Sequence, residues 1–216
     1  LIIRPDAISS YKNLSVAFYN MGDIDGAINA LETALEYIEE PSAETLENLG
    51  YLYIEQGNPS RAANFYESAN IDFSENLNAA FGLINAYIAN GDHEQAIDLL
   101  EPLVEENPDN ARLRNVYGTQ LYEITSEILT DLEDAYRKSD TTLAEQIRFE
   151  AEGMGEETEK QLIDAFKRDT TNVEYIESLA VFYNNLSAQY LSLKKLAFED
   201  HKEPLEEKAN TLITFA

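Results

Sequence analysis

One spacing constrains this chain more than anything else in it. Leu14, Phe18, Gly22, Ala27, Leu31 and Ala34 recur 35 residues later as Leu49, Tyr53, Gly57, Ala62, Tyr66 and Ala69. A further 34 residues on stand Leu83, Tyr87, Gly91, Ala96, Leu100 and Leu103. In the third copy Ala80, Leu83, Ile84 and Tyr87 fall at three- and four-residue steps, so they share one helix face. Asn90-Gly91-Asp92 breaks the pattern as a turn. A second stripe follows, Ala96, Ile97, Leu100, Leu103 and Val104, and it stops at Asn107-Pro108, where proline cannot continue a helix. The unit is a pair of short antiparallel helices. One such hairpin cannot bury its own apolar face, so copies must stack on one another.

The segments Leu49-Gly50-x-x-Tyr53 and Gly57-x-x-x-x-Ala62, with Pro108 closing a copy, resemble the tetratricopeptide repeat (TPR). The resemblance covers residues 1–110 tightly and the rest loosely. It implies an all-α fold, a TPR-like right-handed α-α superhelix (solenoid). It also implies a scaffold with no enzymatic activity of its own.

Read in order, residues 1–7 look like the tail of a preceding repeat, with Leu1 and Pro5 standing where Val104 and Pro108 stand in the third copy. Repeats then occupy 8–42, 43–76 and 77–110. Their helices are expected over 9–20 and 24–39, then 43–56 and 60–71, with Ser42 as an N-cap and Pro59 just before a helix start. From residue 111 the helical period runs unbroken through Leu113, Tyr117, Leu121, Ile124, Ile128, Leu132 and Tyr136 to about 139. A partner stripe runs over 142–168, weakened at Gly153 and Gly155. The extra length is shared equally between the two helices, which keeps both stripes facing each other. It therefore reads as one elongated hairpin over 111–172. A second, over 173–216, opens with a helix of about 27 residues by its apolar period. It turns at Asp200-His201-Lys202 and opens its last helix at Pro204. The apolar end at 212–216 reads as a helix cut in mid-course. The chain is expected to be a single helical-repeat domain taken from a longer array.

The formal charge is −26, with 20 acids and 3 bases over residues 1–110. Such a field repels phosphate backbones and argues against nucleic acid as a partner, and it suits a basic protein. The plain alternative is an acidic coat serving solubility or high salt. No apolar run is long enough to span a bilayer. Without cysteine there is no disulfide or thiolate site. No cofactor is expected. The compartment is not encoded, and a soluble, cytoplasmic setting is favoured.

Other motifs dissolve on inspection. Residues 21–32 imitate a calcium loop, with Asp23, Asp25, Gly26 and Glu32 in place, but its first ligand position is Met21 and the repeat puts Ile24 onward on a helix. His93 and His201 fall at expected turns and read as surface residues. Gly153-Met154-Gly155 lacks the lysine of a phosphate loop. Asn13-Leu14-Ser15 and Asn185-Leu186-Ser187 match a glycosylation sequon but lie on expected helices.

The resemblance implies that the first helix of each repeat lines a concave groove for a peptide or protein segment. The residues so placed are Lys12, Asn13, Val16 and Tyr19; Glu47, Asn48, Tyr51 and Ile54; Phe81, Asn85 and Ile88; and Arg112, Asn115, Thr119 and Tyr122. Aromatic anchors beside asparagine amides suit an extended backbone. In the subtype that clamps a chaperone's terminal carboxylate, Lys12 and Asn48 match, while Val16, Asn78 and Gly82 do not. The acids Glu44, Glu47 and Glu55 also disfavour a carboxylate ligand. The alternative is an assembly role for the elongated hairpins, including self-association, through Tyr136, Phe149, Phe182 and Tyr190 where these are exposed.

Overall fold

A computed structural model describes residues 5–37, 42–68 and 71–215, and these hold ten α-helices and no strand. The expected tail at 1–4, the end of the second helix at 38–39, and Ala69 lie outside the described residues. The chain divides into two compact units between Leu99 and Leu100, within α6.

In the first unit α1 (Pro5–Asn20) packs on α2 (Ile24–Leu35), and α3 (Ala43–Glu55) packs on both α2 and α4 (Pro59–Ser68). The fifth helix, α5 (Leu77–Asn90), covers α3 and α4. The start of α6 (His93–Glu106) closes the unit. The glycines that interrupt the repeat turn the chain: Gly22, Gly57 and Gly91 have φ of 77°, 79° and 80°, a left-handed conformation that strains any residue with a Cβ. Ala27, Leu31, Leu49, Tyr53, Ala62 and Tyr66, all repeat positions, form the core.

Asp23 caps α2 by accepting from the Gly26 N–H at 2.8 Å, so the acids of the calcium-like stretch sit at a helix start. Asn76 caps α5 in the same way through the Ala79 N–H. Ser42 does hold the N-cap position of α3, but its hydroxyl makes no cap bond. It lies instead 2.9 Å from the Thr45 hydroxyl and accepts from Lys12 Nζ at 3.4 Å.

The second unit holds the rest of α6 and two long hairpins. α7 (Ala111–Lys138) and α8 (Thr141–Arg168) have 28 residues each, about 42 Å at 1.5 Å per residue. They pair along their length, and α9 (Val173–Lys194) packs against both. α10 (Glu199–Phe215) returns along α9. Leu132, Leu162, Phe182, Leu186, Tyr190 and Leu205 form the core of this unit. Asn110, Asp140 and Asn172 cap α7, α8 and α9 through side-chain oxygens.

The last turn departs from expectation. α9 stops at Lys194 after 22 residues, and Lys195 to Phe198 make the turn. Ala197 extends the apolar stripe in sequence, but it is buried from within the turn. His201 therefore lies on α10 rather than in a loop, and it is buried. Its Nδ1 is 3.1 Å from the Tyr136 hydroxyl, and its ring meets Tyr136 and Phe198 edge-on. Pro204 lies inside α10 instead of opening it.

Candidate functional site

In the first unit, α1 and α3 leave an open groove of about 440 Å³ between them. α1 contributes Lys12, Asn13, Val16 and Tyr19, and α3 contributes Glu44, Asn48 and Tyr51, over a floor of Leu31 and Leu52. The helical period explains the division. Leu49, Leu52 and Tyr53 take the buried face of α3, which leaves Asn48 and Tyr51 outward.

Tyr19 and Tyr51 remain 39% and 47% exposed. Their rings meet edge-on at 6.0 Å and their hydroxyls are hydrogen-bonded at 2.9 Å. That bond, together with burial and the nearby Glu55 carboxylate, pushes the Tyr51 phenol up to about 12. The Tyr51 phenol is thus neutral at any physiological pH. The Lys12 ammonium is 3.8 Å from Glu44, so the cation among the described residues of the groove lining is already paired.

The other expected site residues are placed differently. Asn85 is exposed, and Ile88 is half-buried. Ile54 is half-buried and packs on the core of the first unit. Phe81 is only 8% exposed, because α5 is buried over Ala79, Ala80, Phe81, Leu83, Ile84 and Ala86, a broader face than one stripe.

Asn115 and Tyr122 belong to the second unit. Asn115 is 2% exposed on α7, between Leu113 and Tyr117, because α7 is covered by both α8 and α9. Tyr122 is half-buried and meets Phe182 edge-on at 6.1 Å. Burial raises its phenol, and the Glu123 carboxylate raises it further against a lowering hydrogen bond from Asn185. Tyr122 and Phe182 line a smaller hollow of about 240 Å³, rimmed by Glu123, Glu174 and Glu177. Of the aromatics considered for assembly, Tyr136, Phe182 and Tyr190 are buried, and Phe149 is 78% exposed.

Sequence reasoning set Glu44 on the rim of the groove and missed Leu31 of α2 as a lining residue. Glu44 lies four residues before Asn48, and that spacing alone places it on the same face. Among the described residues no group of three or more His, Cys, Asp or Glu side chains is placed to hold a metal ion, and no helix is long and apolar enough to cross a membrane.

Several solved structures share the fold. MamA from Desulfovibrio magneticus RS-1 (residues 41 to the end) is 15% identical, over 98% of this chain and 96% of that one, with a TM-score of 0.57. MamA of strain MSR-1 is 18% identical over 96% and 97%, with a TM-score of 0.56. A thermophilic TPR protein of Thermus thermophilus is 20% identical over 96% and 100%, with a TM-score of 0.51. No curated protein matches the chain in sequence. Two family models described as tetratricopeptide repeat match, one over residues 13–76 and the other over 53–118. With those matches overlapping on the helix pairs of the repeated pattern, residues 13–118 belong to the tetratricopeptide repeat family, and the chain takes a TPR-like helical-solenoid fold.

Proposed function

We propose that the groove between α1 and α3 holds a segment of a partner protein. The chain is a protein–protein interaction scaffold by family. The single observation that carries the groove assignment is the exposed Tyr19–Tyr51 pair, flanked by the outward amides of Asn13 and Asn48. Two partly exposed phenols beside the exposed Val16 give rigid contact area at low entropic cost. The asparagines supply both donors and acceptors for an extended backbone. The test compares the intact wild-type chain with Tyr19→Ala/Tyr51→Ala in pull-downs from the source cells. Loss of bound partners with unchanged helicity is expected. Identical captures by both forms would overturn the assignment.

A second reading rests on Phe149, which stands out from α8 beside Thr142, Glu145 and Gln146. An exposed phenylalanine at that position favours an assembly contact, including self-association. Sedimentation of the intact chain and of Phe149→Asp separates the two readings, because only the assembly contact makes the sedimentation coefficient depend on this residue.

A further inference from the structure

Resting on the groove reading above, we infer that the occupant is an extended basic segment carrying a lysine or arginine near each end of a stretch of about five residues, a span set by the length of α3. Among the residues of α3 whose burial is described, the exposed positions are Glu44, Asn48, Tyr51 and Glu55, at steps of four, three and four, so they form one continuous stripe. From Glu44 to Glu55 the helix rises about 16 Å, which an extended chain covers in about five residues at 3.3–3.6 Å each. The stripe reads acid, amide, phenol, acid. It offers an anionic contact at each end, a backbone partner at Asn48 and an aromatic face at Tyr51 for a cation to lie on.

The unit has a cation of its own at the Glu44 end of the stripe, Lys12. Among its described residues, the lysine and arginine side chains are Lys12 and Arg61. Lys12 is matched to Glu44 at 3.8 Å, and Arg61 to Glu32 at 3.1 Å while lying over the Tyr53 ring. The Lys12–Glu44 pair is open to water, so an incoming cation displaces it at small cost. The groove is carried by its tyrosines and its shape, and the charge of the stripe decides which chain fits it.

The experiment pans a randomised ten-residue peptide library against the intact chain, with counter-selection on Tyr51→Ala. That variant keeps every carboxylate, so sequences held by bulk charge alone are removed. Enriched peptides are expected to carry two lysines or arginines four to six positions apart. Their affinity should fall about fivefold in Glu55→Gln, the worth of one exposed ion pair, and less than twofold in Glu203→Gln on α10. Enriched peptides without such cations, or equal losses in Glu55→Gln and Glu203→Gln, would overturn the basic occupant and leave the groove reading intact. Failure to enrich any peptide that distinguishes the wild type from Tyr51→Ala would overturn both.

Discussion

The Tyr66 ring lies hard against the backbone of Gly50: a Cβ at Gly50 would fall 2.2 Å from its Cε2. The opposite side of the ring environment is as close, since a Cβ at Gly82 would stand 2.3 Å from its Cζ. The ring is pinned as well, because its hydroxyl donates to the Glu47 carbonyl at 3.0 Å. α3, α4 and α5 therefore converge on one tyrosine, and the glycines are what let them do so.

Gly50→Ala should accordingly destabilise the first unit by about 1–3 kcal/mol, as overpacking does. Tyr66→Phe keeps the ring and loses only the hydroxyl contact, for about 1 kcal/mol. Denaturant titration of the two variants checks the order. A Gly50→Ala protein as stable as wild type would show that the ring yields freely.

The opposite outcome holds for a glycine in α8. A Cβ at Gly153 would meet nothing within 4 Å, although the residue sits in the middle of a 28-residue helix. Gly153→Ala should stabilise the chain by about 1 kcal/mol through helix propensity and a less flexible unfolded state. Thermal unfolding followed by circular dichroism reads this as a rise in Tm.

The tyrosines make stability fall in alkali. Burial, aided by Glu47, pushes the Tyr66 phenol up to about 12. Burial pushes Tyr136 to about 12 as well, Asp200 and Glu152 adding to the rise and Arg148 opposing it. In the unfolded chain both ionise near their ordinary value of about 10. Between those values the folded protein keeps protons that the unfolded one has lost, so stability is complete below about pH 10 and declines as pH rises toward 12. Tyrosinate absorbance and helicity, followed together, should change in one step for the buried rings. Ionisation of all the tyrosines near pH 10 with helicity intact would contradict this.

These relationships were not equally legible in the sequence. The turn glycines and the equal lengthening of α7 and α8 are local signals. Each is written in the residues that perform it, so reading them needs no knowledge of neighbours. The caps at Asn76, Asn110 and Asn172 went unread, and the Ser42 hydroxyl, read as a cap, makes no cap bond. Phe81 and Asn115 are different. A period of 3.6 identifies the face a helix must bury, but not how many neighbours will press on its flanks. α5 is covered by α3 and α4, and α7 by α8 and α9. The same limit hid His201: Ala197 continues the stripe of α9 whether it is buried from the helix or from the turn after it.

Phe81 and Tyr51 separate folding from binding in a single pair of variants. Both are aromatic residues on first helices of adjacent repeats, and the sequence pattern treats them alike. Phe81 is 8% exposed, so Phe81→Ala removes a buried ring and leaves a cavity, at a cost of about 3–5 kcal/mol. Tyr51 is 47% exposed and meets Tyr19 only at its hydroxyl and ring edge, so Tyr51→Ala should change stability by less than about 1 kcal/mol. Binding should respond in the reverse order when the remaining folded fraction of each variant is compared. Chemical denaturation gives the first ordering, and titration with a peptide selected on the wild-type chain gives the second. If Phe81→Ala, while folded, lost affinity as completely as Tyr51→Ala, the contact surface would extend beyond the α1–α3 groove onto α5. If Tyr51→Ala were the less stable of the two, the outward placement of Tyr51 would be wrong.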